Sequence, residues 1–372
     1  MRLVSIALVL SSLAACTDPD GPDDPTDDGD FDVGKADGTG CLPSAGSDDA
    51  RGLLAYASDP DVTVDNLREL GLWPKAAANL VAARPFATLA ELDAVANIGP
   101  FACRVMRAEA CDVRGLCEPE LPVWTWNIKT FPLSGSTIDR VAETLEAAEI
   151  VGFQEVDSLT AFDELLTKLP GWVGIAGEYG FGTQVALAFR TDRLTVVANE
   201  DLWTNDPDHF PRPVLAVTFE IAGRVGKSRF TLVDVHLKAQ VDDDSQRRRR
   251  EAIAILEPWI AARRAAGERV IALGDWNDDI DDAPASNVFL PILNKPDAYV
   301  TPTLAVDQAG GYSYIPFKRM IDHVVLTHEA AAMLQPVKVA PVALEATIND
   351  YLHTVSDHRP VSATLLPVLP AE

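Results

Sequence analysis

Val270-Ile-Ala-Leu-Gly-Asp-Trp-Asn-Asp278 is an apolar, strand-like run that stops abruptly in two carboxylates and an amide. The same design recurs at Trp124-Thr-Trp-Asn127, Gly152-Phe-Gln-Glu155, Asp234-Val-His-Leu237, Met320-Ile-Asp-His323 and Ser356-Asp-His-Arg-Pro360. Almost every motif ends an apolar run and presents Asn, Glu, Asp or His there, and polar groups at strand ends can converge on one rim of a sheet core. Together they supply acids and an Asn fit for a hard metal, plus two imidazoles. Hydrolysis of a phosphate ester needs that inventory: a cation against the non-bridging oxygens, a base for water, and stabilisation of the leaving oxygen.

Around these motifs, strands are expected at 123–127, 150–154, 184–189, 194–198, 214–221, 230–235, 270–273, 320–326 and 361–366. Helices are expected at 138–148, 159–169 and 247–264. The first helix has Ile138, Val141, Leu145 and Ala148 on one face, as an amphipathic period requires. The four consecutive residues Arg247 to Arg250 cannot share a helix face, so most are expected in solvent or against the acids Asp242 to Asp244.

The order and wording of the six motifs, over residues 122–366, resemble the endonuclease/exonuclease/phosphatase superfamily. The resemblance implies an α+β fold, a four-layer αββα sandwich, and a metal-dependent phosphoric ester hydrolase. Carried over motif by motif, Asn127, Glu155 and Asp357 would hold Mg²⁺, with Mn²⁺ as the other candidate ion. His358 would be held by Asp322 as an acid/base pair, with His236 as the second imidazole. Asp275 and Asn277, two apart on an extended segment, would face one side and orient the nucleophile. In pancreatic-type deoxyribonuclease a Glu orients the first His; here the matching strand offers Gln184, which can hydrogen-bond His236 without that negative charge, with Glu178 as a spare. Lys318 and Arg319, after Gly310-Gly-Tyr-Ser-Tyr-Ile315, resemble a substrate-facing loop and are candidate phosphate contacts. His209, His328 and His353 are read as structural, and His323 is left open.

The chain has 372 residues and a formal net charge of −25. Residues 1–16 read as a lipoprotein signal: Leu13-Ala-Ala-Cys16 resembles a bacterial lipobox, with Cys16 the lipidated residue. Residues 17–40, with nine Asp and one Lys, lack apolar periodicity and read as a disordered tether. The expectation is an exported protein, anchored by lipid to the outer membrane or cell surface, or secreted. The other four cysteines, Cys41, Cys103, Cys111 and Cys117, lie in one small module, as disulfides of an exported protein would. Three pairings are open. Cys103–Cys111 is disfavoured on a continuous helix, where eight residues rise about 12 Å against the roughly 7 Å a bridge tolerates.

Residues 41–117 read as a helical module and 118–372 as the catalytic domain. The stretch 76–106 resembles the helix-hairpin-helix domain of competence-type DNA receptors. Gly99 matches the second glycine of its turn, and Asn97 replaces the first. The resemblance implies phosphate contact without sequence readout; a docking role without DNA is the other reading. The catalytic region has 37 acidic and 22 basic residues, which argues against a surface that holds nucleic acid by charge alone. The leading expectation is a DNA endonuclease or exonuclease of low sequence preference, with no obligate protein partner. The alternative is a phosphodiesterase or phosphatase for lipid headgroups or small phosphorylated compounds.

Overall fold

The computed structural model describes residues 43–44, 46–223 and 226–368, so Cys16, Cys41, the lipobox and the acidic tether lie outside the described residues. Twelve strands are found among the described residues: β1 Leu121–Phe131, β2 Ile150–Val156, β3 Trp172–Ala176, β4 Gln184–Arg190, β5 Leu194–Leu202, β6 Val214–Ala222, β7 Lys227–His236, β8 Val270–Asp275, β9 Tyr299–Val300, β10 Asp322–Thr327, β11 Leu334–Pro341 and β12 Val361–Pro367. They form two six-stranded mixed sheets, ordered β11-β12-β1-β2-β4-β3 and β5-β6-β7-β8-β10-β9.

Strand periodicity explains the layers. Alternate residues point to opposite faces, and one face of each sheet is aliphatic: Val123, Ile150 and Leu187 from the first meet Val217, Leu232, Leu273 and Val324 from the second in one buried cluster. The outward face of the first sheet, with Trp126, Phe153 and Ala186, is covered by helices Thr137–Thr144 and Leu159–Thr167 through Val141, Phe162 and Leu165. The outward face of the second, with Val233, Val235 and Ala272, is covered by helix Asp243–Ala265 through Ala252, Ile253, Leu256 and Ile260. Helix, sheet, sheet and helix make the expected four layers.

The long helix begins four residues before the expected start, because Asp242 is its N-cap and accepts from the Ser245 backbone N–H at 3.0 Å. Such a cap is worth about 1 kcal/mol. Its arginines differ from expectation in one respect. Arg247 pairs with Asp244, but Arg249 is buried, with Nε 2.9 Å from Asp278 Oδ2. Its Nη1 also donates to the carbonyls of Lys238 and Gln240, at 2.8 and 2.7 Å. Strands β3, β9 and β11 were not expected from the sequence.

Ahead of β1, short helices run through residues 48–113 and close over their own core of Leu53, Tyr56, Leu67, Leu80, Leu92 and Met106. They are Asp48–Ser58, Val64–Glu69, Pro74–Ala83, Leu89–Asp93 and Pro100–Ala108, and a single π-turn, Glu109–Val113, ends the last of them. That turn sets Cys111 and Cys117 4.7 Å apart at Cα, and they form a disulfide. Cys103 is also disulfide-bonded. Arg193 donates to the carbonyls of Pro119 and Glu120, fastening the segment that leads into β1.

Candidate active site

Register puts the key residues in one row. Parallel β7 and β8 set His236 opposite Asp275, and antiparallel β8 and β10 set Asp275 opposite Asp322. Lateral neighbours share a face, so three consecutive strands deliver an imidazole and two carboxylates side by side. Two glycines make the close approach feasible. Gly274 has φ +144°, and a Cβ there would lie 1.9 Å from the Val235 carbonyl oxygen. A Cβ on Gly152 would lie 2.4 Å from Leu273 across the sheets.

From the opposite sheet, β1 and β2 bring Asn127 and Glu155. The ends of both strands are bulged: their mutual register breaks after Asn127, and Lys129, Thr130 and Glu155 all take left-handed backbone at φ 43°, 48° and 62°. Bulges re-aim side chains and are frequent at active sites. Asn127 Nδ2 donates to Asp275 Oδ2 at 2.9 Å and to Glu155 Oε1 at 3.2 Å, joining the two sheets. The Thr130 N–H holds the other Glu155 oxygen at 3.0 Å.

His358 arrives from the turn before β12. The Ser356 hydroxyl donates to the Asn127 carbonyl at 2.6 Å and accepts the His358 N–H at 2.9 Å. Tyr351 OH donates to the His358 carbonyl, and the Tyr314 ring lies 4.9 Å from the imidazole. His358 Nδ1 is 2.8 Å from Asp322 Oδ2, leaving Nε2 3.9 Å from Asp275 Oδ2. The Ser313 hydroxyl accepts the N–H groups of Ile321 and Asp322, fixing the carboxylate from behind. Asp275, Asp322 and His358 thus form one buried cluster.

Burial and charge set the protonation states. Burial opposes a charge on His358, but Asp322, Asp275 and Asp357 outweigh it and lift the imidazole to about 10. Burial, then Asp322, raises Asp275 to about 7, against the pull of His358 and Asn127. Burial, helped by Arg212 and His358, holds His236 well below its ordinary value. The site therefore pairs a protonated imidazole with a neutral one and sets a carboxylate near neutrality between them.

The expected residues divide as follows. Asn127, Glu155, His236, Asp275, Asp322 and His358 converge. Asp357 is held by Lys129 Nζ at 2.7 Å and makes no hydrogen bond to Asn127 or Glu155. Asn277 is not on an extended segment: it is left-handed at φ 56°, its N–H caps Asp275 Oδ1, and its amide donates to the Leu237 carbonyl. No partner supports His236 Nδ1 among the described residues, so neither Gln184 nor Glu178 replaces the orienting acid; His236 Nε2 lies 3.5 Å from Asp275 instead. Arg319 pairs with Asp279, which also accepts the Met320 N–H, so it braces the loop. Lys318 lies beside the Tyr312 ring. His323 points away from the cluster, with Nε2 on the Asp278 carbonyl and its ring edge-on to Phe289. His209 and His353 pair with Asp206 and Asp350.

Sequence reading missed Arg212. Its guanidinium feels Glu155 and Asp275, and burial lowers its pKa while those acids raise it. Its one hydrogen bond among the described residues runs from Nε to Thr183 Oγ1 at 3.4 Å. The signal was a lone cation in Pro211-Arg-Pro213 at the head of an apolar strand. The buried carboxylate of Asp234 was missed too: Gln154 donates to Oδ1 at 2.7 Å, and Oδ2 has no partner among the described residues.

Residues 124–358 match the sequence profile of the Endonuclease/Exonuclease/phosphatase family. The chain belongs to that family. It is therefore a phosphoesterase of a family in which the buried Asp275, Asp322 and His358 cluster is typical of the active site. No curated protein matches the chain. Among solved structures, D. rerio TDP2 complexed with single strand DNA product aligns at 15% identity and TM-score 0.53, covering 66% of this chain and 98% of that one. The human Nocturnin catalytic domain with bound sulfate aligns at 17% and 0.51, covering 68% and 95%. The Bacteroides thetaiotaomicron mannosyl-6-phosphatase Bt3783 aligns at 17% and 0.50, covering 66% and 99%. At these identities the likeness establishes the fold.

Proposed function

We propose that the protein is an exported, Mg²⁺-dependent phosphodiesterase acting on nucleic acid, with DNA the leading substrate. The observation that carries this is the row His236–Asp275–Asp322, faced by Asn127, Glu155 and His358 and flanked by the uncommitted guanidinium of Arg212.

The donor set fits a hard cation. Glu155 offers a carboxylate oxygen and Asn127 an amide oxygen, ligands that Mg²⁺ accepts while keeping waters, and Asp357 would join them on leaving its pair with Lys129. A bound Mg²⁺ would supply Lewis-acid neutralisation of the phosphate. The chain's own residues do the rest. Asp275, held by Asn127 and the Asn277 N–H, accepts the proton of the attacking water. His358, kept protonated by Asp322, donates a hydrogen bond to a non-bridging oxygen, and Arg212 neutralises charge from the other side. His236, neutral, completes the wall beside Asp275. Charges fixed in advance against the developing phosphate charge are the main catalytic resource of such sites.

Nucleic acid is favoured over small esters by two features. A TDP2 of the same fold is complexed with a single-stranded DNA product. The helical segment also has a turn resembling a helix-hairpin-helix, with Asn97 left-handed at φ 67° and Gly99 capping helix Pro100–Ala108. The test is a panel of single-stranded and duplex DNA, RNA, sphingomyelin and a mannose 6-phosphate ester, each with Mg²⁺, Mn²⁺ or EDTA. Cation-dependent cleavage of an oligonucleotide supports the reading; turnover of the sugar phosphate or lipid alone overturns it.

A further inference from the structure

We propose that Phe181 and Phe317 are base-stacking platforms on the two flanks of the reaction centre, so that the enzyme takes nucleic acid in its unpaired, single-stranded form. This rests on the phosphodiesterase reading above and names the form of its substrate.

Phe181 and Phe317 are 80% and 75% exposed, and Tyr179 is 59% exposed beside the first. A single exposed aromatic is common on a protein surface; what distinguishes Phe181 and Phe317 is that each is tied to a residue beside the polar cleft. Both sites are tied to residues that border the catalytic row, Arg212 on one side and His358 on the other. The Phe181 N–H donates to the Pro211 carbonyl at 2.8 Å, one residue from Arg212. A Cβ on Gly180 would lie 2.4 Å from that same carbonyl oxygen and 2.6 Å from Arg212 Cα, so the loop is seated on the arginine's backbone. It closes through Thr183, whose hydroxyl accepts from Arg212 Nε. On the other flank, the Phe317 ring lies 5.8 Å from Tyr314, and Tyr314 lies 4.9 Å from His358.

Sheet order sets the two apart. The Phe181 loop leads into β4, outside β2, whereas Tyr314 is bridged to His358 at the head of β12, outside β1. From β12 to β4 is three strand spacings, roughly 14 Å, with Asn127 and Glu155 between. A phosphodiester over Asp275 would therefore have an aromatic face available for the base on either side.

Charge separates single strands from duplex. A duplex held by its phosphates needs a basic track, and this region carries 37 acidic residues against 22 basic. Stacking adds binding energy base by base without sequence readout and so lessens the share that phosphate contacts must carry, but it needs bases that are not already paired and stacked.

The experiment compares four substrates under Mg²⁺: a single-stranded oligonucleotide, the same strand annealed to its complement, the same backbone with abasic residues, and sphingomyelin vesicles. The wild type should cleave the single strand at least about tenfold faster than the duplex or the abasic strand, in kcat/KM. In the Phe181→Ala/Phe317→Ala double variant the ratio of base-bearing to abasic strand should fall to near one, since each stacked base contributes about tenfold or more. Phe181→Trp/Phe317→Trp should keep the ratio. A ratio unchanged in the alanine variant, or a wild type that prefers duplex, overturns the inference and leaves the phosphodiesterase reading standing. Loss of vesicle hydrolysis with no effect on the oligonucleotides makes the aromatics a lipid contact and also overturns it. Failure of the wild type to cleave any oligonucleotide removes the reading beneath it as well.

Discussion

Asp322→Asn is the most informative single substitution. The carboxylate is fully buried, and Oδ2 is 2.8 Å from His358 Nδ1. Two unit charges about 4 Å apart interact by about 4 kcal/mol at an effective dielectric near 20, which is roughly three pKa units. The imidazole stands at about 10 against an ordinary 6.5 in spite of its burial, and Asp322 is the largest of the acids that raise it. The Asn side chain can still accept the Nδ1 hydrogen, so shape and tautomer persist while the charge goes. Burial then opposes protonation with only Asp275 and Asp357 against it, and His358 becomes neutral at pH 8. A hydrogen bond from a cation to a phosphoryl oxygen is lost, and kcat should fall about 10²–10³-fold, about 2.7–4 kcal/mol at the transition state. The assay is single-turnover cleavage of an oligonucleotide from pH 6 to 9, with ¹⁵N NMR of the His358 side chain. The wild type should show a protonated imidazole across that range, and the variant should lose activity more steeply as pH rises. A variant within about threefold of wild type, with an unshifted pH profile, would refute the assignment of His358 as a cation held by Asp322.

Arg249→Met should destabilise the fold by about 3–5 kcal/mol in urea unfolding, because it leaves Asp278 buried without its partner; a change under 1 kcal/mol would mean that pair is solvated. Asp234→Asn tests the buried carboxylate, which burial raises well above 3.8 in the folded state. An acid with a raised folded pKa stabilises fully only below its unfolded value, and that contribution is lost as pH rises through the folded one. The variant's Tm advantage over wild type should therefore grow from pH 4 to pH 7, and a constant difference contradicts the shift. Non-reducing mass spectrometry should find Cys111 joined to Cys117 in protein produced under oxidising conditions; free thiols at both would contradict the bridge.

The sandwich was legible because its strands carry their own signals: an apolar run ending in Asn127, Glu155 or Asp275, or one that begins just after His358. The strands that escaped notice lack one. β3 is short and half-buried, β9 has two residues, and β11 carries two prolines on an edge. The cluster itself was legible for the same reason, since register rather than chance aligns His236, Asp275 and Asp322. What the sequence hid depended on tertiary contact. Arg212 looks like a loop cation until the neighbouring sheet brings Glu155 beside it. Arg249 looks like one of four solvated arginines until Asp278 and two carbonyls surround it. The extended geometry expected for Asn277 failed because its N–H folds back onto Asp275, a local bond that Asn favours and that periodicity does not register.

The central claim is that a cation held at the strand-end carboxylates drives phosphodiester hydrolysis. The direct measurement is Mg²⁺ binding by calorimetry, paired with oligonucleotide cleavage, in wild type and Glu155→Gln. The account predicts cation-dependent cleavage abolished by EDTA in the wild type. In the variant it predicts weakened Mg²⁺ binding, an unaltered fold by circular dichroism, and a loss of at least ~100-fold in kcat, since a metal-held oxygen is worth several kcal/mol at the transition state. Equal Mg²⁺ affinity and near wild-type turnover in Glu155→Gln would contradict it.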